Sequence, residues 1–420
     1  MTVNVRASSE PWLYPPTQML AENVDGFVGF LRAKLEELSN ENGSEKGNAE
    51  EIALRLRQLE AWRNHVGTLL QYCVEDMHVG NFIDHIELPM SSASCFEANV
   101  AEYNQSVQVA FNNGLNEGFM LAKNLRHIHR KYEEREVWLA LKGERQKDGT
   151  MKNLGETVVL KRVGKVELSD MKQTNHNIQL LCREFKAQHL LGKLEHPNIL
   201  PLLCVFENEH SIFSVSPLGG SSDLMEILSA FAVAYRAGFP EPVVRNLMRH
   251  AITGLIVAHN VGVAHRDVSL ENMVVKDREN MLTTPLTIID WGHCCGVHLR
   301  DGTSGKFASI PHEGPLGKAK YMAPELLSKS RTVYDPFAAD VFALGVCVFS
   351  LLVGRMPFKV ALDDHGQILS KSASELLALL GLSQKLSKDA VDLLNKLLAW
   401  RPEDRIPSHV ILSHRFFADC

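Results

Sequence analysis

The absences narrow the reading first. Eight cysteines fall without metal-binding spacing, and the closest pair, Cys294 and Cys295, is adjacent. No zinc-type site and no disulfide framework is therefore expected. The longest apolar run, residues 341–353, holds Gly345 and Ser350 and is only 13 residues long. That is short for a bilayer span and suits a buried core helix. Positive charge is not in excess: 44 Lys and Arg stand against 50 Asp and Glu, a net charge of −6. Such a balance gives no reason to expect nucleic acid or an anionic membrane as the main partner. Acids and prolines interrupt the first 25 residues, so no secretory leader is read. Reduced thiols and a cytoplasmic setting are expected, with the nucleus left open. There is no internal repeat and no low-complexity tract.

What is present is ordinary globular material, 45% apolar and 22% charged over 420 residues. That length allows two or three domains, or one large two-lobed unit. Residues 1–20 contain prolines and read as loose. Apolar positions 24, 27, 28, 31, 35 and 38 form a helical stripe. The polar break ENGSEKGN follows, and then a second stripe from Ile52 to Met77. Residues 21–110 are therefore expected to be a helical hairpin region, packed on a neighbour or offered to a partner or a second copy. After about residue 115 the texture changes. EVWLALKG (136–143) and ETVVLKRV (156–163) read as strands around a polar loop. A helix with Leu180, Leu181, Phe185, Leu190, Leu191 and Leu194 comes next, then strands ILPLLCVF and SIFSVSP. Beyond Gly219 and Gly220 the chain is mainly helical. Strands first and helices after predict an α+β fold: a small β-rich lobe at about 115–215 and a larger α-helical lobe at about 216–417.

Four short segments then follow in an informative order. Val158-Val159-Leu160-Lys161 puts a lysine on a strand. VGVAHRDVSLENMVV, 261–275, sets Asp267 and Asn272 between apolar shoulders. Ile288-Ile289-Asp290-Trp291-Gly292 ends an apolar strand on an acid. Ala323-Pro324-Glu325 closes the series. In these segments the chain resembles the eukaryotic protein kinase family, of serine/threonine type, over roughly residues 115–417.

The resemblance implies a two-lobed kinase fold preceded by the helical N-terminal region, with ATP and Mg²⁺ as the small molecules and a protein hydroxyl as acceptor. It assigns Lys161 to the α- and β-phosphates with Glu184 as its partner. Asn272 and Asp290 fall to Mg²⁺, and Asp267 to the acceptor hydroxyl and its proton. Glu271 stands where the family often reads a basic substrate residue. His265 reads as scaffold. Asp340 and Gly345 open a buried helix, and Glu325 pairs with Arg405. Arg266, beside Asp267, is the residue the family often uses to hold a phosphate on the following loop, where Thr303, Ser304 and Ser309 are the candidate acceptors.

Several positions depart from the family pattern. The three glycine slots of the phosphate-covering loop fall on Arg130, Tyr132 and Arg135. Side chains there keep the backbone away from phosphate, so either Arg130 or Arg135 clamps phosphate or the roof over ATP is defective. Val159 replaces a small residue under the adenine, and Trp291 replaces Phe. Ser269 stands where the family's serine/threonine members carry Lys. Lys318 stands where they carry Thr, which suggests a cation moved to the other side of the cleft, near the γ-phosphate. Three functions remain open on sequence alone: an active serine/threonine kinase, a pseudokinase scaffold, and a small-molecule phosphotransferase on a related fold.

Overall fold

The structure is a computed structural model of the chain. It describes residue 83 and residues 86–100, 105–115, 117–130, 133–148, 150–165, 171–297, 309–312, 314, 316–327, 332–357, 372–382 and 384–418. The helical stripes read between residues 22 and 77, the loose residues 1–20, Thr303 and Ser304 all lie outside the described residues. The chain divides into two compact units.

The first unit, Asp84–Lys193 with Leu200–Gly219, is built on strands. These are β1 (Met90–Val100), β2 (Gln105–Asn112), β3 (Glu117–Arg130), β4 (Glu133–Arg145) and β5 (Met151–Gly164). After helix α1 (Met171–Gly192) come β6 (Cys204–Glu207) and β7 (Ser211–Pro217). They close into a seven-stranded barrel in the order β1-β2-β3-β4-β5-β7-β6. Neighbours pair antiparallel except at the closure, where β1 runs parallel to β6 with Met90 opposite Val205. The β-strands at 90–100 and 105–112 correct the helical assignment of 21–110 over that stretch. Ser91, Ser92 and Ser94 blur the alternation of β1, and its parallel partner lies about a hundred residues away.

Strand period fixes which face each side chain takes. On β5, Val158 and Leu160 point into the barrel and are fully buried. Ala110, Phe119, Ala140, Phe206, Phe213 and Val215 join them there. Phe206 stacks on Phe119 and Phe213 with ring centroids 5.7 and 5.1 Å apart. The alternate residues Val159 and Lys161 consequently face outward. Helix α1 packs Leu181 and Phe185 against Val205 and Ile212, which places Glu184, one residue before Phe185, beside that outer face.

The second unit includes residues 194–199 and 220–420. It carries β8 (Ser222–Asp223), α2 (Leu224–Tyr235), α3 (Glu241–Asn260), β9 (Val263–Ala264), β10 (Met273–Val275) and β11 (Leu286–Ile288). Further on come β12 (Cys295–Gly296), β13 (Ile310–Pro311), α4 (Pro324–Leu327), β14 (Val333–Tyr334), α5 (Pro336–Val353), α6 (Ala373–Leu379) and α7 (Lys388–Leu397).

Helix α5 is the spine of this unit. Asp335 caps it by accepting from the backbone N–H groups of Phe337 and Ala338, and Gly354 ends it in the left-handed conformation at φ 81°. It is long and apolar enough to pass for a membrane span, yet 89% of that window is buried inside the protein. At Gly345 a Cβ would sit 2.8 Å from Leu397 Cβ, so the absent side chain lets α7 pack close.

Candidate active site

The candidate residues form two groups, one in each unit. In the β unit, Lys161 Nζ donates to Glu184 Oε1 at 2.7 Å. The Glu184 side chain is 4% exposed and that of Lys161 30%, so the acid is the enclosed partner of the pair. Val159, half-buried, lies opposite Leu139 on β4 and Ser216 on β7. Arg135 is half-buried on β4, opposite Ile128 and Val163. The β3–β4 ladder runs on to Arg130 opposite Glu133. Paired strand thus occupies Arg130 and Arg135, two of the three positions where the family has its glycines.

In the helical unit the loop after β9 is tied down by backbone. Arg266 takes a left-handed φ of 61°, a costly state for a non-glycine residue. Asp340, 1% exposed on α5, compensates. Its Oδ2 accepts the His265 N–H at 2.7 Å and its Oδ1 the Arg266 N–H at 2.8 Å. His259 Nε2 lies 3.0 Å from the same Oδ2. Arg266 Nε donates to the His293 carbonyl at 2.6 Å.

His265 is fully buried, its ring 4.5 Å from that of Trp291 and tilted 47° to it. Its Nδ1 accepts the Asp267 N–H at 3.2 Å, which puts the ring proton on Nε2, 3.3 Å from the Ile289 carbonyl. Burial pushes its pKa down, so the neutral ring orients the loop.

Asp267 is the focus of the group. Asn272 Nδ2 donates to both the Asp267 carbonyl and Oδ2 at 2.8 Å. Lys318 contributes twice: its backbone N–H reaches Oδ1 at 3.0 Å and its Nζ reaches Oδ2 at 2.7 Å. The same ammonium donates to Ser269 Oγ at 3.0 Å. Lys318 is thus engaged with the carboxylate rather than turned to bulk water. Gly317 makes the approach possible. It sits at φ +84°, and a Cβ there would stand 2.7 Å from the Arg266 carbonyl oxygen and 3.1 Å from Asp267 Oδ1.

Glu271 Oε2 accepts the Tyr321 hydroxyl at 2.7 Å. Burial, first of all, raises that phenol's pKa and keeps it protonated. Tyr321 was not picked out from sequence, although it lies just before Ala323-Pro324-Glu325. Ser309 is exposed.

The chemistry of the donors suits a hard divalent cation. Both hydrogen bonds from the Asn272 amide nitrogen go to Asp267, which leaves the amide oxygen as the ligand atom. The Ile289 N–H donates to the Asn272 carbonyl at 2.9 Å, which holds Asp290, the next residue, close to Asn272. Among the described residues no cluster of three or more His, Cys, Asp or Glu could hold a metal. One carboxylate and one amide oxygen fit Mg²⁺, which keeps its waters and uses substrate phosphates as ligands.

Elsewhere in the helical unit, Arg405 Nη1 and Nη2 meet Glu325 Oε1 and Oε2 at 2.6 and 2.7 Å, both side chains 1% exposed. This forked pair locks α4 to the segment after α7.

The protein kinase domain pattern matches residues 147–417. The probable serine/threonine-protein kinase KCC4 of Saccharomyces cerevisiae is 26% identical over 287 residues, 62% of this chain and 25% of that protein. The serine/threonine-protein kinase PLK4 of Drosophila yakuba is 28% identical over 230 residues, 54% of this chain and 27% of its own length. Calcium-dependent protein kinase 5 of Plasmodium falciparum is 29% identical over 250 residues, 59% of this chain and 39% of its own. The chain therefore spans about a quarter to two fifths of the length of these relatives. With the pattern covering well over half of its residues, the chain belongs to the protein kinase family.

Proposed function

We propose that this chain is an active serine/threonine protein kinase that moves the γ-phosphoryl group of ATP to a protein hydroxyl. One observation carries the proposal: the Asp267 carboxylate is held in a single orientation by donors from Asn272 and Lys318. A carboxylate so aimed accepts the proton of an incoming hydroxyl. Lys161, positioned by Glu184, neutralises the α- and β-phosphates. Asn272 and Asp290 hold Mg²⁺, which supplies further neutralising charge on the phosphate oxygens when bound. Phosphoryl transfer asks for positioning and charge compensation more than for covalent help. Glu271, oriented by Tyr321, presents a negative charge toward the acceptor protein.

A second reading, a scaffold that does not transfer phosphate, draws on the paired β3–β4 ladder at the glycine-loop positions. Labelled ATP with Mg²⁺ separates the two. The active enzyme labels itself or a generic protein substrate, and Asp267→Asn abolishes the signal. Equal labelling by wild type and variant marks a contaminant. No labelling, with an ATP-dependent rise in Tm, favours the scaffold.

A further inference from the structure

Lys318 orients the Asp267 carboxylate but also crowds the oxygens that an acceptor hydroxyl would use. Asp267 Oδ1 is taken by the Lys318 backbone N–H, and Oδ2 by Lys318 Nζ and Asn272 Nδ2. Three of the carboxylate's roughly four lone-pair sites are thus filled, and an incoming hydroxyl has only the remaining site on Oδ1 unless a donor leaves. The backbone N–H is fixed by Gly317, whose conformation lets the segment lie against the Arg266 carbonyl. Asn272 is 5% exposed and bound twice. The Lys318 ammonium is different. It ends a flexible stem, is 34% exposed, and bridges a carboxylate and a hydroxyl rather than being enclosed by them. It is the one donor of the three that can leave.

We propose that Lys318 is a toggling phosphate clamp: it caps Asp267 while no γ-phosphate is present, and swings onto the γ-phosphoryl oxygens when ATP binds. The swing opens one lone pair of Oδ2, the other staying with Asn272, for the acceptor hydroxyl and brings a cation to the transferring group. This rests on the kinase reading for the identity of the ligand.

Electrostatics gives the direction of the swing. A terminal phosphoryl group carries more negative charge than one carboxylate, so the ammonium gains by moving to it. The step balances without proton transfer from lysine. The acceptor oxygen bonds to the γ-phosphorus, and the bond from that phosphorus to the ADP bridging oxygen breaks. The hydroxyl proton passes to Asp267, and Lys318 keeps its three protons. Ser269 supplies the resting partner on the loop side, 3.0 Å from the ammonium. A lysine introduced at 269 therefore starts from the spot where Lys318 now ends, in space that Lys318→Thr vacates.

The test compares wild type, Lys318→Thr, and the double variant Ser269→Lys with Lys318→Thr. Each is measured for Mg·ATP and Mg·ADP affinity and for turnover of a protein substrate, with Tm as a check of folding. Lys318→Thr is expected to lose on the order of a hundredfold in kcat, with KM for the protein substrate little changed. It also loses the preference for ATP over ADP, and the double variant regains both. A wild type that binds ATP in preference to ADP through Lys318 yet transfers nothing supports the clamp and refutes the kinase reading. The clamp is overturned if Lys318→Thr matches wild type in both measurements. It is equally overturned if wild type has no preference for ATP, or if a folded double variant regains nothing. Should Lys318→Thr melt early, Lys318→Gln, which keeps a donor but not the charge, takes its place with the same expected losses.

Discussion

Removing either side of the Glu325–Arg405 fork should destabilise the helical unit, but by unequal amounts. Breaking a buried ion pair by deleting one partner costs about 3–5 kcal/mol, because the survivor is left charged and dry. The structure decides which end of that range applies. After Glu325→Ala, Arg405 still donates to the carbonyls of Ala399, Ala338 and Trp400 at 2.9, 2.8 and 3.3 Å, and still faces the Phe342 ring at 4.9 Å. That variant should fall near the lower end, about 3 kcal/mol. After Arg405→Ala, the buried Glu325 keeps no countercharge, and three carbonyls lose their donor as well. That variant should fall near the upper end, about 5 kcal/mol. Urea denaturation followed by the fluorescence of buried Trp291 measures both. With a slope of about 3 kcal/mol per molar urea, the midpoints drop by about 1 M and between about 1.5 and 2 M. A double replacement, Glu325→Leu with Arg405→Met, should recover much of the loss, since apolar groups of like size need no countercharge. Two single variants with shifts under about 0.3 M, or a reversed order, would refute the reasoning.

Mild acid should destabilise the fold through its buried imidazoles. Burial depresses the pKa of His196 from 6.5 to about 3. The folded state thus stays neutral while the unfolded chain takes up a proton as pH falls below 6.5. This stability is fully present above that value, and between pH 7 and pH 5 His196 alone costs about 2 kcal/mol. Burial acts on His265 in the same direction, so unfolding midpoints measured over that interval should fall steadily; a flat profile would count against neutral buried imidazoles. Gly317→Ala forces a side chain into the left-handed region and against the Arg266 carbonyl. It should cost about 1–3 kcal/mol and slow transfer by displacing Lys318, measured by melting and by turnover; an unchanged rate would detach Gly317 from the site.

The order of the site residues was legible because each lies on a short local segment whose apolar pattern announces a strand or a helix. Lys161 was legible only as a lysine on a strand, because Val158, Val159 and Leu160 are all apolar; its outward face follows from the burial of Val158 and Leu160. The Glu184 partnership was harder to read, since Glu184 stands one turn farther from His196 than the resemblance implies. A 22-residue α1 provides the extra length, and the pair closes at 2.7 Å. Strand extents were less legible. Met151–Gly155 looked like loop, but belongs to β5 because Asn153 pairs with Gly143 across a bulge. ILPLLCVF looked like one strand, but only from Cys204 does the chain join the barrel; Ile199 belongs to the helical unit and bridges to Ile288 within it. Tyr321 could not be found from pattern. Its importance comes from a contact with Glu271 fifty residues away, and no local periodicity encodes that.

The closed barrel has a practical consequence for where this protein can be cut. The kinase domain pattern begins at residue 147, yet β1 to β4 all lie before it. A fragment started at that boundary would keep three strands of seven. It would strip β4 from β5 along the very edge where Val137 pairs with Lys161, and leave Phe119 and Ala140 missing from the interior. Unpaired edges of this kind invite pairing between chains. The smallest fragment worth expressing therefore starts ahead of Met90, well upstream of where homology alone would draw the line.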